Sequence, residues 1–155
     1  MNLDMWEILR GYLSENEITH ELLTHEPINT TAEACEVVGH APHESTKSLV
    51  LATDTVPVVA TVPADEEINF DRVKSVTGLR NIELFPPDRL QSKYGVDPGG
   101  VPPVGYNSDT AVVVEASLFE NDDVYFSPGR KDKTVHVSGE VFRRIVSDWN
   151  GQVMT

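Results

Sequence analysis

The sequence predicts an α+β (mixed α/β) domain in which a mixed, largely antiparallel and curled sheet is surrounded by helices. Segments with helical spacing are interspersed along the chain with segments of strand composition. Most links between consecutive strands are too short for a helical crossover, so neighbouring strands should mainly run antiparallel. A length of 155 residues without internal repeats or a linker predicts one domain over residues 1–155.

The helices are predicted from apolar spacing and from capping residues. Apolar side chains recur at helical spacing in the first segment, and again in the last segment after the capping residue Ser138. Thr30 or Thr31 can cap a helix that stops at Gly39. Two further helices stop at glycines. The predicted helices are 3–15, 30–38, 70–77, 86–94 and 138–149.

The strands are predicted from short apolar or alternating runs between turn residues. Residues 47–52 are the best candidate for an interior strand, and a turn near 53–55 pairs them with 57–63. The complete set of predicted strands is 18–23, 47–52, 57–63, 110–115, 123–126 and 134–137.

The chain is strongly acidic, with 25 Asp and Glu against 12 Lys and Arg and a net charge of −13. The acidic residues are dispersed, which indicates a well-solvated surface and argues against nonspecific nucleic-acid binding by the whole protein. A single cysteine, Cys35, rules out an intramolecular disulfide and fits a reducing compartment. The sequence predicts neither a membrane span nor a signal peptide, so a cytoplasmic protein without a membrane partner is expected.

A loop rich in glycine and proline is the most informative segment. Residues 97–105 read DPGGVPPVG, with three glycines and three prolines. Such a loop is stiff and leaves backbone N–H and C=O groups exposed, so it can hold a small polar ligand. The alternative is a rigid connection between a helix and a strand.

Lys47 is the second informative feature. In the predicted strand 47–52, alternation puts Lys47 on the same face as Leu49 and Leu51. A lysine on an apolar face must be paired, lie at a strand end or be functional. A functional lysine could pair with a phosphate or polarise a carbonyl, whereas a structural one could pair with an acid such as Glu115.

The remaining candidates are histidines and one basic cluster. His25 could be a base, a hydrogen-bonding residue at a strand end or an exposed residue, whereas His40 and His43 predict a turn better than a metal site. Cys35 is expected to be a small buried residue. The cluster 129–133 (GRKDK) could contact phosphate or be a solvated hairpin turn.

Several of these segments, in this order, resemble the YbaK / prolyl-tRNA-synthetase-associated editing domain family. The resemblance spans roughly residues 15–149. The matching pieces are His25-Glu26-Pro27, Thr31-Ala32-Glu33-Ala34, Gly39, Thr46-Lys47-Ser48-Leu49-Val50, Gly99-Gly100-Val101-Pro102-Pro103-Val104-Gly105 and Gly129-Arg130.

The resemblance implies a fold, an activity and a set of site residues. The sheet should close toward a barrel with flanking helices, and the chain should act as a freestanding hydrolase that deacylates mischarged aminoacyl-tRNA without metal or cofactor. Its implied partners are the acceptor end of aminoacyl-tRNA and an aminoacyl-tRNA synthetase; the alternative is a non-catalytic binding or synthetase-docking module. Catalysis is expected from Lys47, Gly99 and Gly100. Substrate binding is expected from His25, Thr46, Val101, Pro102, Pro103, Gly105, Gly129 and Arg130.

Overall fold

The computed structural model describes residues 4–155, which form two β-sheets flanked by five α-helices. The helices are α1 (Met5–Glu15), α2 (Thr31–Val38), α3 (Phe70–Thr77), α4 (Pro87–Tyr94) and α5 (Gly139–Asp148). The strands are β1 (Glu21–Thr24), β2 (Thr46–Ala52), β3 (Val58–Pro63), β4 (Glu83–Leu84), β5 (Ala111–Glu115), β6 (Val124–Phe126), β7 (Lys133–Val137) and β8 (Gln152–Met154). Leu3, included in the first predicted helix, lies outside the described residues. None of the helices in residues 4–155 has the length and hydropathy that a membrane span requires.

The strands pair as a mixed and largely antiparallel set. The larger sheet has the order β4-β2-β3-β5-β8, and the smaller sheet has the order β1-β7-β6. Strand β2 is antiparallel to β3 and β4, and β7 is antiparallel to β1 and β6. Among the described strands, only the pairs β3·β5 and β5·β8 are parallel. The predicted fold class is therefore confirmed.

The two sheets do not close into a barrel. The closure expected from the family resemblance is therefore wrong. They are joined by one isolated bridge between Ser45 and Tyr125, so the backbone ladder does not continue from one sheet into the other. At the edges of the larger sheet, β4 and β8 have two and three residues. Strands this short cannot extend the pairing far enough to close the sheet.

The helix ends follow from local sequence chemistry. The Thr30 hydroxyl accepts a hydrogen bond from the backbone N–H of Glu33 at 3.1 Å and so begins α2. Gly39 ends the same helix in the left-handed region, at φ +87°. The Ser138 hydroxyl caps α5 by accepting from the N–H of Val141 at 3.1 Å. The predicted bounds of these two helices are confirmed to within one or two residues.

Both faces of the larger sheet are covered, which explains why all six residues of β3 are buried. On one face, Leu51 belongs to an apolar cluster with Val73 of α3, and Leu49 packs against that cluster. On the other face, Val50 belongs to the main core, which also includes residues of α1 and α5. Lys47 shares the face of Leu49 and Leu51 but lies near the start of β2, beside the junction of the two sheets.

Candidate active site

A cavity of about 340 Å³ lies where the start of β2 meets the smaller sheet. Its walls are formed by the first turn of α2, the first half of β2, part of the loop 97–105 and the connection between β6 and β7. We call this cavity the Lys47 cleft. Its volume lies in the range of small-molecule sites. Five of the residues expected at a functional site line it: Thr46, Lys47, Gly99, Val101 and Arg130.

Lys47 is partly buried in the wall of the cleft and has no ion pair or hydrogen bond to the described residues. Glu115, the acid considered as its structural partner, is engaged elsewhere. The Glu115 carboxylate accepts hydrogen bonds from Arg72 and from Ser117, each at 2.9 Å. A partly buried ammonium without a counterion leaves its positive charge available to a ligand.

The cleft concentrates positive charge in an otherwise acidic chain. Besides Lys47, three cations line it, whereas no Asp or Glu does so among residues 4–155. The three cations are Arg130, Lys131 and Lys133, all from the basic segment 129–133. This segment comprises the later part of the β6–β7 connection and the first residue of β7, so the hairpin-turn interpretation is correct while its cations still line the cleft. The resulting local potential favours an anionic ligand such as phosphate.

The cations of the basic segment make only weak contacts to the protein. Arg130 lies 3.9 Å from the exposed carboxylate of Asp4. Lys131 donates a 3.1 Å hydrogen bond to the side chain of Asn29, and Lys133 lies 3.4 Å from the Thr24 hydroxyl. Exposed contacts of this kind contribute little to stability and can be exchanged for a ligand at small cost.

Two residues of the glycine- and proline-rich loop line the cleft. Gly99 adopts φ +87°, and a Cβ built on it would meet no atom within 4 Å. Val101 is 6% exposed and contributes apolar surface. Gly100 instead borders a neighbouring cavity, and its carbonyl lies 3.3 Å from the Ser127 hydroxyl. Of these two glycines, Gly99 is therefore the one whose backbone conformation requires glycine.

The two prolines of the loop lie behind the cleft wall. Pro102 and Pro103 are buried, and neither lines the cleft. The Pro102 carbonyl accepts a 2.7 Å hydrogen bond from the hydroxyl of Tyr106, itself a core residue. This contact anchors the loop, so the prolines hold Gly99 and Val101 in position from behind.

Gly105 and Gly129 have a packing role under α1. Both have positive φ, +112° and +105°. A Cβ on Gly105 would lie 2.8 Å from Cε of Met5, and one on Gly129 would lie 3.0 Å from Cβ of Met5. Neither glycine lines the cleft, so the structure gives each a role in the close approach of α1.

His25 lies at the end of β1, outside the cleft lining. One ring nitrogen is 2.8 Å from the Glu26 carbonyl, and the other is 2.8 Å from the Thr134 hydroxyl. This geometry corresponds to the hydrogen-bonding strand-end interpretation. Thr134 lines the cleft, so His25 supports its wall from outside.

The cleft residues that are not predicted as site residues from the sequence include His40, Tyr125 and Ser127. The Ser127 hydroxyl lies 3.3 Å from the carbonyl of Gly100 and 3.4 Å from that of Arg130, and thus connects the loop to the basic segment. Its position before Pro128 and Gly129 is a turn signal that could have indicated it. The turn predicted at His40 is present, since a turn of 3₁₀ helix follows it at Pro42–Glu44.

No group of three or more His, Cys, Asp and Glu side chains able to hold a metal ion occurs within residues 4–155. The expected small, buried Cys35 is partly exposed, and its Sγ lies 3.8 Å from Nδ1 of His40. The cleft is thus lined by cations, hydroxyls and backbone groups, a combination suited to binding and polarising an ester or phosphate ligand.

Comparison with known proteins agrees with this chemistry. The family model "Aminoacyl-tRNA editing domain" matches residues 25–145. The Multifunctional Ser/Thr-tRNA deacylase ProXp-y of Escherichia coli (strain K12) is 25% identical over 142 residues, which cover 88% of this chain and 85% of that protein. The proline--tRNA ligase of Anaeromyxobacter sp. (strain Fw109-5) is 32% identical over 118 residues, covering 75% of this chain and 20% of the ligase.

Solved structures show the same fold. Hypothetical protein APE2540 superposes with a TM-score of 0.83 at 24% identity, covering 94% of this chain and 96% of that chain. A candidate trans-editing enzyme for prolyl tRNA synthetase superposes with a TM-score of 0.81 at 18% identity, covering 99% of this chain and 96% of that chain. From the family match over residues 25–145, we conclude that the chain belongs to the aminoacyl-tRNA editing domain family.

Proposed function

We propose that this protein is a freestanding deacylase that hydrolyses the ester bond of mischarged aminoacyl-tRNA in the Lys47 cleft. Family membership and the similarity to a tRNA deacylase over most of both chains support the reaction. The observation that carries the assignment of the site is Lys47, a partly buried cation without a counterion among the described residues, in a cleft lined by further cations.

The reaction needs little more than positioning and charge stabilisation, because the aminoacyl ester is already reactive. Water adds to the carbonyl carbon, and negative charge develops on the carbonyl oxygen. The bond between that carbon and the ribose oxygen then breaks. The ribose oxygen takes up the proton that water gives up, which yields the free amino acid and deacylated tRNA. In this proposal Lys47 stabilises the developing charge, and Gly99 and Val101 orient the acyl group.

The tRNA end is held by charge in this proposal. Arg130, Lys131 and Lys133 contact the phosphates next to the terminal adenosine. The start of α2 borders the same cleft, and a helix N-terminus also favours anions. The net negative charge of the chain, which favours a non-catalytic docking module, comes from Asp and Glu residues outside the described cleft lining, so the charged side chains nearest the tRNA end are the cations.

We further propose small hydroxylated amino acids as the first substrates to examine. The E. coli relative is named a Ser/Thr-tRNA deacylase. The cleft of this chain presents hydroxyl groups that could bind such side chains, among them those of Thr31 and Thr46. Val101 bounds the cleft with apolar surface and limits the size of the acyl group.

A panel of mischarged tRNAs tests the proposed function. The purified protein is incubated with seryl-, threonyl- and alanyl-tRNA species and with a correctly charged prolyl-tRNA, and release of the amino acid is followed. We expect hydrolysis of at least one mischarged species without any synthetase present. Absence of hydrolysis across the panel, together with capture of a synthetase, would instead support the docking module.

Removal of positive charge from the basic segment should weaken tRNA binding and leave the chemical step unchanged. We expect the double variant Lys131→Gln/Lys133→Gln to raise KM while kcat remains close to the wild-type value. The slope of log KM against log salt should also fall by about 0.7 for each phosphate that is no longer bound. Steady-state kinetics at several salt concentrations measures both effects. Lys74→Gln, on the exposed surface of α3, is the matched control and should behave as wild type.

Enlarging the cleft at Val101 should change substrate preference. Val101→Ala removes apolar bulk from the wall, so larger acyl groups should be hydrolysed relatively faster, by about 1 kcal/mol for each additional methylene. The measurement is the ratio of kcat/KM for valyl- and seryl-tRNA. Val104→Ala is the control, because Val104 is fully buried behind the wall and should lose stability without changing that ratio.

A further inference from the structure

One histidine in the cleft wall has an unused ring nitrogen. His40 is 7% exposed and lines the Lys47 cleft. Its Nδ1 lies 3.1 Å from the carbonyl of Ala41, an acceptor, so Nδ1 carries the hydrogen and donates. Nε2 then presents a lone pair. This nitrogen has no hydrogen-bond partner among residues 4–155 and is not sealed from solvent.

The environment of His40 favours the neutral form of its ring. Burial lowers the pKa of His40 and outweighs the hydrogen bond to Ala41 and the charge of Glu44, which raise it. In a neutral imidazole with its hydrogen fixed on Nδ1, Nε2 can accept a hydrogen bond but cannot donate one. The cleft therefore has a buried, fixed acceptor without a protein donor among the residues that the structure describes.

The aromatic ring next to His40 lies in a negative local potential. The Tyr125 ring lines the cleft, with its centroid 4.6 Å from that of His40. Burial raises the pKa of the Tyr125 hydroxyl, and the carboxylates of Asp123, Glu44 and Glu21 raise it further. The imidazole of His136 stacks on Tyr125 at 4.5 Å, but Asp123 and Glu21 both bind it at 2.7 and 3.1 Å, so negative charge prevails.

The electrostatic potential therefore differs between two parts of the cleft. Lys47 and the basic segment make one part positive, whereas the part formed by His40 and Tyr125 is neutral on its surface and has carboxylates behind it. The aminoacylated end of a tRNA has a complementary charge distribution. Its phosphates lie on one side of the ester, and the α-ammonium group of the amino acid lies on the other. The α-ammonium group would be repelled by the cations, and no carboxylate in the described lining could pair with it.

We propose that Nε2 of His40 binds the α-ammonium group of the aminoacyl substrate. An ammonium group donates a charge-assisted hydrogen bond to a neutral imidazole nitrogen. The protein then selects esters with a free α-amino group over N-acylated esters such as peptidyl-tRNA. This inference rests on the proposed deacylase function and adds a recognition element for the substrate.

The test compares seryl-tRNA with N-acetylseryl-tRNA as substrates. Acetylation removes the positive charge and leaves the ester intact. Wild type should hydrolyse seryl-tRNA with a kcat/KM about 10- to 100-fold above that for N-acetylseryl-tRNA, as expected for one charged hydrogen bond. His40→Leu should lose this advantage through a raised KM for seryl-tRNA, with no change for the acetylated substrate. His40→Gln, whose amide oxygen can replace Nε2 as acceptor, should restore part of it.

Each other outcome overturns the inference. If wild type hydrolyses the two substrates equally, the α-amino group is not recognised. If His40→Leu slows both substrates equally, His40 acts on the water or on the fold instead. His43→Leu, at an exposed position outside the cleft, is the control and should match wild type. If wild type hydrolyses no member of the mischarged panel, the deacylase function itself fails and this inference fails with it.

Discussion

Lys47→Ala is expected to reduce deacylation by tens to hundreds of fold and to leave the fold intact. In the proposed mechanism the Lys47 ammonium stabilises charge that develops in the transition state, and removal of such a group costs roughly 2–4 kcal/mol. Little stability should be lost, because Lys47 has no counterion or hydrogen bond among the described residues. Single-turnover release of the amino acid and thermal melting, measured on the same preparation, separate the two quantities.

The matched control for this substitution is Lys74→Ala. Lys74 is an exposed lysine of α3 and lies outside the cleft lining, so its loss removes the same charge from the protein without touching the site. Its rate and melting temperature should stay near the wild-type values. A Lys47→Ala variant that melts earlier but keeps the full rate per folded molecule would show that Lys47 is structural.

Gly99→Val is expected to cut deacylation by about a hundredfold, since displacement of a positioning loop by about 1 Å has effects of that size. Gly99 has φ +87° and lines the cleft. A β-branched residue at such a φ is strained by roughly 1–3 kcal/mol, so the loop must either shift or remain strained. The new methyl groups would also extend into the space that the acyl group needs. Most of the stability should survive, because a Cβ at this position meets no atom within 4 Å.

Gly100→Ala is the matched control for the loop. A Cβ at Gly100 would lie 3.5 Å from the Asp97 carbonyl oxygen and 3.6 Å from Cγ of Lys131, both ordinary contacts. We therefore expect this variant to fold and to retain most of the activity. Full activity in Gly99→Val, or equal damage from the two substitutions, would show that the geometry of the loop at Gly99 is not what the reaction uses.

Local chemistry is sufficient to predict most elements of the fold. Capping by Thr30 and Ser138 and the stop at Gly39 depend on neighbours within one helical turn, so they can be predicted from sequence. The edge strands Glu83–Leu84 and Gln152–Met154 are not predicted, because two or three residues carry no periodic signal. The division into two sheets depends on where distant strands pair, which local patterns do not encode.

The site is predictable where its chemistry depends on unusual residues and not where it depends on tertiary contacts. Lys47 and Gly99 stand out because a lysine on an apolar strand face and a stiff glycine loop are rare combinations. Gly105 and Gly129 are expected from the sequence to bind substrate, but their φ values and contacts with Met5 of α1 arise from packing between distant segments. His40 gives no signal, since its burial against Tyr125 exists only in the folded chain.

The most direct test of the central claim is to locate the aminoacyl end on the protein. A crystal of the wild-type protein with 3′-(L-seryl)amino-3′-deoxyadenosine, in which a stable amide replaces the ester, shows where this group binds. The account predicts the amide carbonyl beside Lys47 and the loop at Gly99, with the serine moiety inside the Lys47 cleft. An analogue bound in another cavity, with the Lys47 cleft empty while the same preparation deacylates seryl-tRNA, would contradict the account.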